Sequence, residues 1–561
     1  MKRITSLFLA MLLLLLSLTA CGGNNAAGNT SNGNGSSDVT DSSTGGAQHE
    51  SIVRLTADST PTLDPATHNG NSSTIAYCNL YDTLVFPTPD GVEPDLAESW
   101  EVSEDGLEYT FHLKEGVLFH DGTELLASDV VFTADRLLTI GQGFAYLYSS
   151  VIKDVVADDD YTVRFILNNP YGPFVSTLAR MYIVNEDLIM ANLAEGTYGE
   201  YGDYGMGWML TNDAGSGPYK FKELVQNDYF LAERFEDWHQ GWENENAPEE
   251  FMIIYGVEPA TVRTMMASQQ LEITDMWQTP ESLESIDALD GVELASYSTR
   301  LVQNIYFNCA KAPTDDVNYR RALCCLIDYD TLIDACFPGS TQPAGPVSSQ
   351  TAGHVDTWQP KYDVEQAKEY LAASKYADDL DQYPLSFSLI TENPALERLA
   401  LAFQAACAQV GITVEISNTP WTSLQEEMTS PETTANVCTV NSGPQFNEAG
   451  ATLESQFHTK TAGTYENCNW LDNKELDAMI DDAMATTDET ERFEKYADIQ
   501  NYIVDELCPS AWVADLAERV GYQDSYIEWP AGEDTKNGVF TAYLMGYPFF
   551  MPDISVYVNG K

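Results

Sequence analysis

The stretch PDLAESWEVSEDGLEYTFHLKEGVLFHDGTELLASDVVFTADRLL, residues 94–138, has the clearest structural pattern in the chain. Apolar and polar residues alternate over 107–113, which is the two-residue period of a half-buried strand. Gly116 and Gly122 each follow an acidic residue, and such pairs are typical of tight turns. Ser128 is placed to cap a helix. The stretch therefore predicts a strand with hairpin signals, followed by a helix.

A second pattern lies in the later part of the chain. The residues LSFSLIT (385–391) form an apolar run with β-branched and aromatic side chains, as in a strand. From Asn393 onward the apolar residues have helical spacing, and Gly411 ends the pattern at a typical C-terminal position. The residues ITVEI (412–416) follow as another strand. A strand, a helix and a strand in this order predict a parallel pair and a mixed α/β fold.

Capping signals and apolar faces mark further helices. Asp363 and Gln366 have the spacing of a capping box ahead of an apolar helical face. Another helical face starts at Leu476, and a further one follows Thr487-Asp488. We find no internal repeat, and the elements together predict a mixed α/β chain. With 561 residues and 44% hydrophobic content the chain can bury large cores, so we expect at least two domains.

The N-terminus has the features of a secretory signal. Lys2 and Arg3 precede an apolar core at 7–16, which is too short to span a membrane and typical of a signal peptide. Leu18-Thr19-Ala20-Cys21 resembles a bacterial lipobox, in which the chain is cut before the cysteine and the cysteine is lipidated. We therefore expect a lipoprotein signal peptide at 1–20 and a lipid on Cys21.

A polar tract separates this signal from the rest of the chain. Residues 22–48 contain no aromatic residue and no Leu, Ile or Phe, so they cannot bury enough apolar surface to fold. We expect residues 21–48 to be a flexible tether of Gly, Asn, Ser and Thr that holds the folded part beside the membrane.

Composition limits the partners. The formal net charge is −59 at pH 7, which disfavours nucleic acid and anionic lipid as direct partners and favours solubility. Besides Cys21 there are nine scattered cysteines without a CxxC motif, so we interpret most of them as buried small residues and leave one or two disulfides open. No second apolar run is long enough to span a bilayer.

Taken together, these motifs resemble the extracellular solute-binding proteins that serve peptide, nickel and related ABC importers. The resemblance starts at residues 94–138 and covers the chain from about Val53 to about Val520. Further landmarks follow in the family's order: GSGPYKF (215–221), YFNCAKAPTDDVNYRRAL (306–323), DVEQAKEYL (363–371), QVGITVEI (409–416) and LDAMIDDAMATTDETERFEKYADIQNYI (476–503).

This resemblance implies a two-lobed, clam-shell periplasmic-binding-protein fold of type II with a central ligand cleft. Lobe I would comprise 49–302 and 510–561, with an extra subdomain around 92–215. Lobe II would comprise 303–509. Hinge crossings would fall near LVQNIYFNC and CPSAWVADL, segments that no local pattern singles out as hinges.

Catalysis and metal binding have little support. No G-x-S-x-G motif occurs, and Gly215-Ser216-Gly217 is better explained as a turn. The histidines show no HxH or HExxH spacing, so we expect neither a metal site nor a cofactor; they are His49, His68, His112, His120, His239, His354 and His458. His120-Asp121-Gly122 is interpreted as a hairpin turn.

The ligand site is expected in the cleft. In peptide-binding members of the family, an Asp in the second lobe pairs with the peptide's α-ammonium, because a charged amine leaving water needs a partner. The resemblance aligns VNSGPQFNEAG (440–450) with that stretch and places neutral Gln445 at the Asp position, beside Phe446 and Asn441. This puts peptides with a free α-amino group in doubt, and Glu448 is the acid nearest in sequence to replace the Asp.

Other candidates for the ligand site come from matching positions. Trp421 corresponds to a family Trp that approaches the pocket, although a core position explains a lone Trp equally well. Tyr306 and Asn308 lie at a hinge crossing and are candidates for facing the cleft.

The resulting hypothesis is a monomeric, lipid-anchored, extracytoplasmic receptor without enzymatic activity. It would capture a solute, by family default an oligopeptide, and deliver it to an ABC permease. No GxxxxGK[ST] motif occurs, so the ATPase would be a separate chain. Three alternatives stay open: a sensor that feeds a signalling partner, a receptor for an oligosaccharide or other non-peptide solute, and, with least support, a surface hydrolase.

Overall fold

The structure, a computed structural model, describes residues 49–57, 59–391 and 393–561. These residues belong to one unit, Ala47–Lys561. The expected signal peptide (1–20), Cys21 and the tether lie outside the described residues. Every helix in the described ranges is too short or too polar to cross a membrane.

The described residues contain 17 strands in five sheets. Their bounds are β1 (Ile52–Ala57), β2 (Val85–Thr88), β3 (Gly91–Pro94), β4 (Ala97–Val102), β5 (Glu108–Leu113), β6 (Ile152–Asp159), β7 (Thr162–Leu167), β8 (Tyr219–Val225), β9 (Tyr229–Arg234), β10 (Glu250–Tyr255), β11 (Glu293–Phe307), β12 (Leu385–Ile390), β13 (Val414–Thr419), β14 (Val437–Ser442), β15 (Ser510–Tyr522), β16 (Ile527–Glu528) and β17 (Ser555–Val556). The sheet orders are β13-β12-β14-β11-β15, β1-β10-β9-β8, β4-β5-β7-β6, β2-β3 and β16-β17.

The same ranges contain 15 α-helices, joined by loops, short 3₁₀ turns and a π-helical turn at Ile503–Leu507. Their bounds are α1 (Asn71–Leu80), α2 (Ala127–Ile140), α3 (Phe174–Thr177), α4 (Glu186–Met190), α5 (Pro259–Ala267), α6 (Pro280–Asp287), α7 (Val317–Cys325), α8 (Tyr329–Cys336), α9 (Val364–Ala373), α10 (Pro394–Ala408), α11 (Trp421–Glu427), α12 (Ala449–Phe457), α13 (Lys474–Ala485), α14 (Glu489–Tyr502) and α15 (Pro530–Lys536).

The strand predicted at 107–113 is confirmed as β5. Tyr109, Phe111 and Leu113 are buried, and the residues between them are half-buried. β5 pairs antiparallel with β4 on one side and with β7 on the other. The alternation therefore marks the middle of a four-stranded sheet with one face on the core.

The predicted helix cap at Ser128 is wrong by two residues. α2 starts at Ala127, so Ser128 lies inside its first turn. The carboxylate of Asp129 instead reaches back and accepts a hydrogen bond from the backbone N–H of Leu126 at 2.9 Å. An acid in the first turn also complements the helix dipole, so no hydroxyl is needed at the preceding position.

The predicted strand–helix–strand unit is confirmed. β12, α10 and β13 follow one another, and β12 pairs parallel with β13. The side chain of Asn393 accepts a hydrogen bond from the N–H of Ala395 at the start of α10, and Gly411 has a φ of +84° just after its end. β13 lies two residues later in the chain than the predicted start at Ile412.

The other helical signals are also confirmed. Asp363 caps α9 by accepting a hydrogen bond from the N–H of Gln366 at 2.9 Å. α13 and α14 form two separate helices where the apolar faces predicted them, and the side chain of Asp488 caps the second.

His120 connects two loops of the described chain by hydrogen bonds. Its Nδ1 lies 2.7 Å from Oδ1 of Asp213, and its Nε2 lies 2.9 Å from the carbonyl oxygen of Gly217. Burial lowers the pKa of His120, but the Asp213 carboxylate outweighs burial and raises it. The turn at 120–122 is thus fixed to the loop around Gly217.

Two hydrophobic cores organise the unit. The first core contains buried side chains of β1 and β4–β10, of α1 and α2, and of the C-terminal residues 520–556, including Trp529 and Met551. The second core contains buried side chains of β12–β14 and of α7–α10. The long antiparallel pair β11 and β15 contributes to both. The first core therefore joins both ends of the described chain, and the N–H of His49 donates to the carbonyl of Val558 at 2.8 Å.

The nine cysteines that the structure describes are all free thiols. Seven are buried, and Cys309 and Cys325 are half-buried. They are small core residues, as the composition predicts, and the disulfides that the sequence leaves open do not occur among them.

Candidate functional site

A polar seam lies where the first core meets the second. Nε of Arg180, on the first-core side, donates to the backbone carbonyl of Gln445 at 3.2 Å. Nδ2 of Asn447 donates to the carbonyl of Pro89 at 2.7 Å. We call this contact region the interface. Residues 308–509, between β11 and β15, are called the second-core side, and the rest of the described chain is called the first-core side. It contains the loop 443–448, where the sequence predicts the ligand site.

The predicted residues of this loop lie in different surroundings. Gln445 is half-buried and contacts Arg180 through its backbone carbonyl. Phe446 is buried. Asn441 is exposed on β14, opposite Gln303 of β11. Of these three predicted residues, Gln445 is the one that contacts the first-core side.

The carboxylate of Glu448 is bound by side chains of the second-core side itself. Its Oε1 accepts from Nη2 of Arg492 at 2.6 Å, and its Oε2 accepts from the hydroxyl of Tyr496 at 3.1 Å. Burial raises the pKa of Glu448, and the Arg492 charge opposes that rise. Since this carboxylate is buried and already paired, a ligand ammonium would have to displace Arg492 to reach it.

Tyr306 and Asn308 have their polar atoms engaged by the protein. The hydroxyl of Tyr306 lies 3.0 Å from Oγ of Ser442 and donates to Oε1 of Gln456 at 3.2 Å. Nδ2 of Asn308 donates to the carbonyl of Pro431 at 2.9 Å. Both residues are buried, and these polar atoms are hydrogen-bonded inside the protein.

Trp421 is half-buried, and its neighbour Tyr465 contacts Glu466, an acidic residue that the sequence analysis did not select. Its ring packs edge-on against Tyr465, with 5.4 Å between ring centroids. The hydroxyl of Tyr465 donates to Oε1 of Glu466 at 3.2 Å. Glu466 is half-buried and forms no ion pair with any lysine, arginine or histidine of the described ranges. No motif marks a single Glu in this acidic chain, so only the fold reveals it.

An aromatic residue of the first-core side lies near this acid. Tyr146 is 50% exposed although it is large and apolar. The pKa of its hydroxyl is raised by desolvation, opposed by the charge of Arg180 and reinforced by that of Glu466. Tyr146 therefore lies within electrostatic range of both charges, one from each side. The interface thus combines aromatic rings, the cation of Arg180 and the carboxylate of Glu466, which forms no ion pair in the described chain. This combination suits a solute that carries both charged and apolar groups.

One buried group has the composition of a metal site. Single ligand atoms of Asp82, Asp95 and His239 lie within 4.8 Å of one another. Burial lowers the pKa of His239, but the two carboxylates outweigh it and raise the pKa to about 9. Nε2 of His239 lies 3.6 Å from Oδ2 of Asp82 and 3.4 Å from Oδ1 of Asp95, and the raised pKa favours the imidazolium, so the three side chains form an internal ion triad beside β2 and β3.

The titration of His239 should be visible in stability. A folded pKa of about 9, above the usual 6.5, stabilises the fold fully below pH 6.5 and progressively less as the pH rises to 9. We expect the free energy of unfolding to fall by up to about 3 kcal/mol across this window, measured by urea denaturation. His239→Gln should lack this slope, and an equal slope in both proteins would contradict the triad.

Comparisons with known proteins find relatives over most of the chain. A family model described as "Bacterial extracellular solute-binding proteins, family 5 Middle" matches residues 91–464. The chain is 29% identical to the probable D,D-dipeptide-binding periplasmic protein DdpA of Escherichia coli (strain K12), over 79% of this chain and 84% of that protein. It is 27% identical to heme-binding protein A of Haemophilus influenzae, over 80% of this chain and 84% of that protein.

A solved structure shares the fold. The ABC transporter-associated periplasmic binding protein DppA of Helicobacter pylori, in complex with the peptide STSA, superposes with a TM-score of 0.70 and 21% identity. The match covers 91% of this chain and 99% of that chain. At this identity the likeness concerns the fold, and the ligand has to be argued from the residues of the interface.

Proposed function

The chain belongs to the bacterial extracellular solute-binding proteins of family 5 and has their two-lobed periplasmic-binding-protein fold, and from this we propose that it captures a peptide between its lobes for an ABC importer. Family members of this kind bind solutes and are not enzymes. The ligand would lie at the interface, where residues of both cores meet.

The observation that carries the proposal is the unpaired carboxylate of Glu466. It lies beside Tyr465 and Trp421 and within electrostatic range of Tyr146 on the other side. A half-buried carboxylate without a cation is a suitable partner for a peptide's α-ammonium, because the ion pair forms in a partly dry cleft. Glu466 would then replace the acid that is absent at Gln445 and that paired Glu448 does not supply.

The proposed lobes follow the two cores. Lobe I is residues 49–302 with 510–561, including a subdomain around 92–215, and lobe II is residues 303–509. The β11–β15 pair passes from the first core to the second between Tyr297 and Ile305 on β11 and between Val520 and Ala514 on β15. We expect these crossings to act as the hinge, so that ligand binding stabilises the closed arrangement.

The proposed location follows from the N-terminal signal. A lipid on Cys21 and the tether at 21–48 would keep a monomeric receptor on the extracytoplasmic face of the membrane. There the closed form would dock on a permease whose ATPase is a separate chain. This topology needs no membrane-spanning helix in the receptor itself.

The retained ligand tests the proposal directly. The mature protein would be extracted gently from its own cells in detergent, and the bound molecule released by denaturation and identified by mass spectrometry. Peptides would support the proposal. A sugar, a haem or another non-peptide solute as the retained ligand would overturn the peptide assignment while leaving the receptor fold intact.

Glu466→Gln should weaken the binding of peptides with a free α-ammonium by about 10- to 100-fold, because a charge-assisted hydrogen bond becomes a neutral one. Calorimetric titration of the mature protein with the peptides identified above measures the effect. The matched control is Glu415→Gln, an exposed acid on β13. N-acetylated peptides should bind wild type and Glu466→Gln alike, and equal affinity of both proteins for free peptides would exclude this role.

A further inference from the structure

Two buried thiols from distant parts of the chain touch each other on the second-core side. Sγ of Cys324, on α7, lies 3.6 Å from Sγ of Cys508, which follows the π-helical turn at Ile503–Leu507. The two residues are 184 positions apart and are 5% and 1% exposed. The sulfur atoms are therefore in van der Waals contact, and a modest movement would bring them to the length of a disulfide bond, about 2.05 Å.

Arg320 fixes this contact from α7. It precedes Cys324 by four residues, so both side chains lie on the same face of the helix. Its Nε donates to the carbonyl of Cys508 at 2.9 Å, and its Nη2 donates to that of Leu507 at 2.6 Å. Its Nη1 donates to the carbonyl of Thr314 at 2.8 Å. These bonds hold α7 against the segment that leads into β15.

A thiolate on Cys508 would balance the charge of Arg320. The guanidinium is buried, its three nitrogens donate to backbone carbonyls, and no carboxylate of the described residues pairs with it. Burying a cation is costly unless a negative group lies nearby. The hydrogen bond from Cys324 lowers the pKa of Cys508, burial opposes this, and the charges of Arg320 and Arg321 add to the lowering. Burial raises the pKa of Cys324. Cys324 is thus the proton donor and Cys508 the nucleophile of the pair.

The backbone at Cys508 gives no reason for a side chain there. Its φ is +43° and its ψ is +56°, the left-handed conformation that ends many helices and favours glycine. Its N–H donates to the carbonyl of Ile503 at 2.8 Å, a bond that glycine would form equally well. The contact between the two sulfur atoms is what the cysteine adds at this position.

We propose that Cys324 and Cys508 are a redox site, which a peroxide converts into a reversible disulfide between α7 and the start of β15. This inference goes beyond the proposed function and does not depend on the ligand. The Cys508 thiolate attacks one peroxide oxygen, the O–O bond breaks, and the other oxygen takes a proton and leaves as water. The sulfur of Cys324 then attacks the resulting sulfenic acid, whose oxygen leaves with the Cys324 proton as a second water. Two electrons pass from the two thiols to one peroxide.

The disulfide would act on a strand that belongs to both cores. Cys508 lies two residues before Ser510, the first residue of β15. The bond would therefore fasten the second-core end of this strand to α7. Because it also closes a loop of about 184 residues, it would remove much of the freedom of the unfolded chain. The oxidised protein should thus be the more stable form.

Other cysteines provide matched controls within the same chain. Cys407 is buried, and burial alone raises its pKa. Cys438 and Cys468 are a second pair of neighbouring buried thiols, but they lack the cation: burial and then Cys438 raise the pKa of Cys468, and no basic residue of the described chain opposes the rise. If Arg320 activates Cys508, both controls should react with peroxide more slowly.

The test exposes the mature, detergent-solubilised protein to graded hydrogen peroxide after reduction with dithiothreitol. Remaining thiols are alkylated during denaturation, and a non-reducing digest is mapped by mass spectrometry. We expect the cross-linked peptide of Cys324 and Cys508 to form first, with Cys407 oxidised at least about tenfold more slowly. The thermal unfolding midpoint should rise by about 5 °C or more on oxidation and return with dithiothreitol.

The variants separate the two thiols. In Cys324→Ser, the sulfenic acid on Cys508 should accumulate and be trapped by dimedone, whereas Cys508→Ser should show no trapping at Cys324 and no peroxide-dependent rise of its midpoint. The mapping of wild type needs no variant to fold. Oxidation of Cys508 no faster than Cys407 would overturn the site, as would a cross-link of Cys508 to half-buried Cys309 or Cys325 instead of Cys324.

Discussion

Arg136→Met should lower the free energy of unfolding by about 3–5 kcal/mol, the largest loss we expect from a single substitution in this chain. Nη1 and Nη2 of Arg136 donate to the two oxygens of Asp64 at 2.7 and 2.6 Å, and its Nε donates to the carbonyl of Tyr204 at 2.9 Å. Both partners are buried, with exposures of 1% and 2%. Removing the guanidinium leaves a carboxylate buried without its cation.

The measurement is chemical denaturation of wild type and variant at pH 7. The double variant Asp64→Asn with Arg136→Met should recover part of the loss, because it leaves no buried charge unpaired. Arg164→Met is the matched surface control: Arg164 pairs with Glu108 and Asp158 in solvent, and its loss should change stability little. Equal effects of Arg136→Met and Arg164→Met would contradict the argument.

Cys21→Ala should move almost all of the protein from the membrane fraction to the medium. Acyl chains stabilise membrane attachment by about 0.8 kcal/mol per buried CH₂, and stable anchoring needs more than one chain. With a net charge of −59, the protein is not held to anionic lipid by electrostatic attraction. The proposed lipid would then be the main source of attachment.

Fractionation of cells after a high-salt wash, followed by immunoblotting, measures this redistribution. Cys325→Ser is the matched control, because Cys325 is a half-buried thiol outside the N-terminal signal. That variant should stay in the membrane fraction with wild type. Retention of Cys21→Ala in the membrane fraction would refute the anchor.

Local patterns predicted the elements of the fold well. The alternation at 107–113 and the βαβ unit from β12 to β13 were readable because their periodicity is imposed by a neighbouring core. The cap at Ser128 failed because the helix already starts at Ala127, and the carboxylate of Asp129 in its first turn accepts from the N–H of Leu126. Such choices depend on single hydrogen bonds, which periodicity does not encode.

The site was harder to predict because its charges come from distant parts of the chain. Arg180 and Gln445 are 265 positions apart and meet only through folding. Alignment to a family pattern drew attention to Gln445, but it could not distinguish Glu448, which is ion-paired, from Glu466, which is not ion-paired within the described residues. In a chain with 86 acidic and 27 basic residues most acids have no cation, so the useful signal is a half-buried acid at the interface without one.

The joining of both chain ends in the first core has a consequence for synthesis. β1 to β10 are complete well before Trp529 and Met551 exist, although these side chains belong to the same core. Contacts of such long sequence separation close late in folding. A chain stalled or truncated before residue 520 would present an uncovered apolar face, and we expect it to aggregate or to occupy chaperones until translation ends.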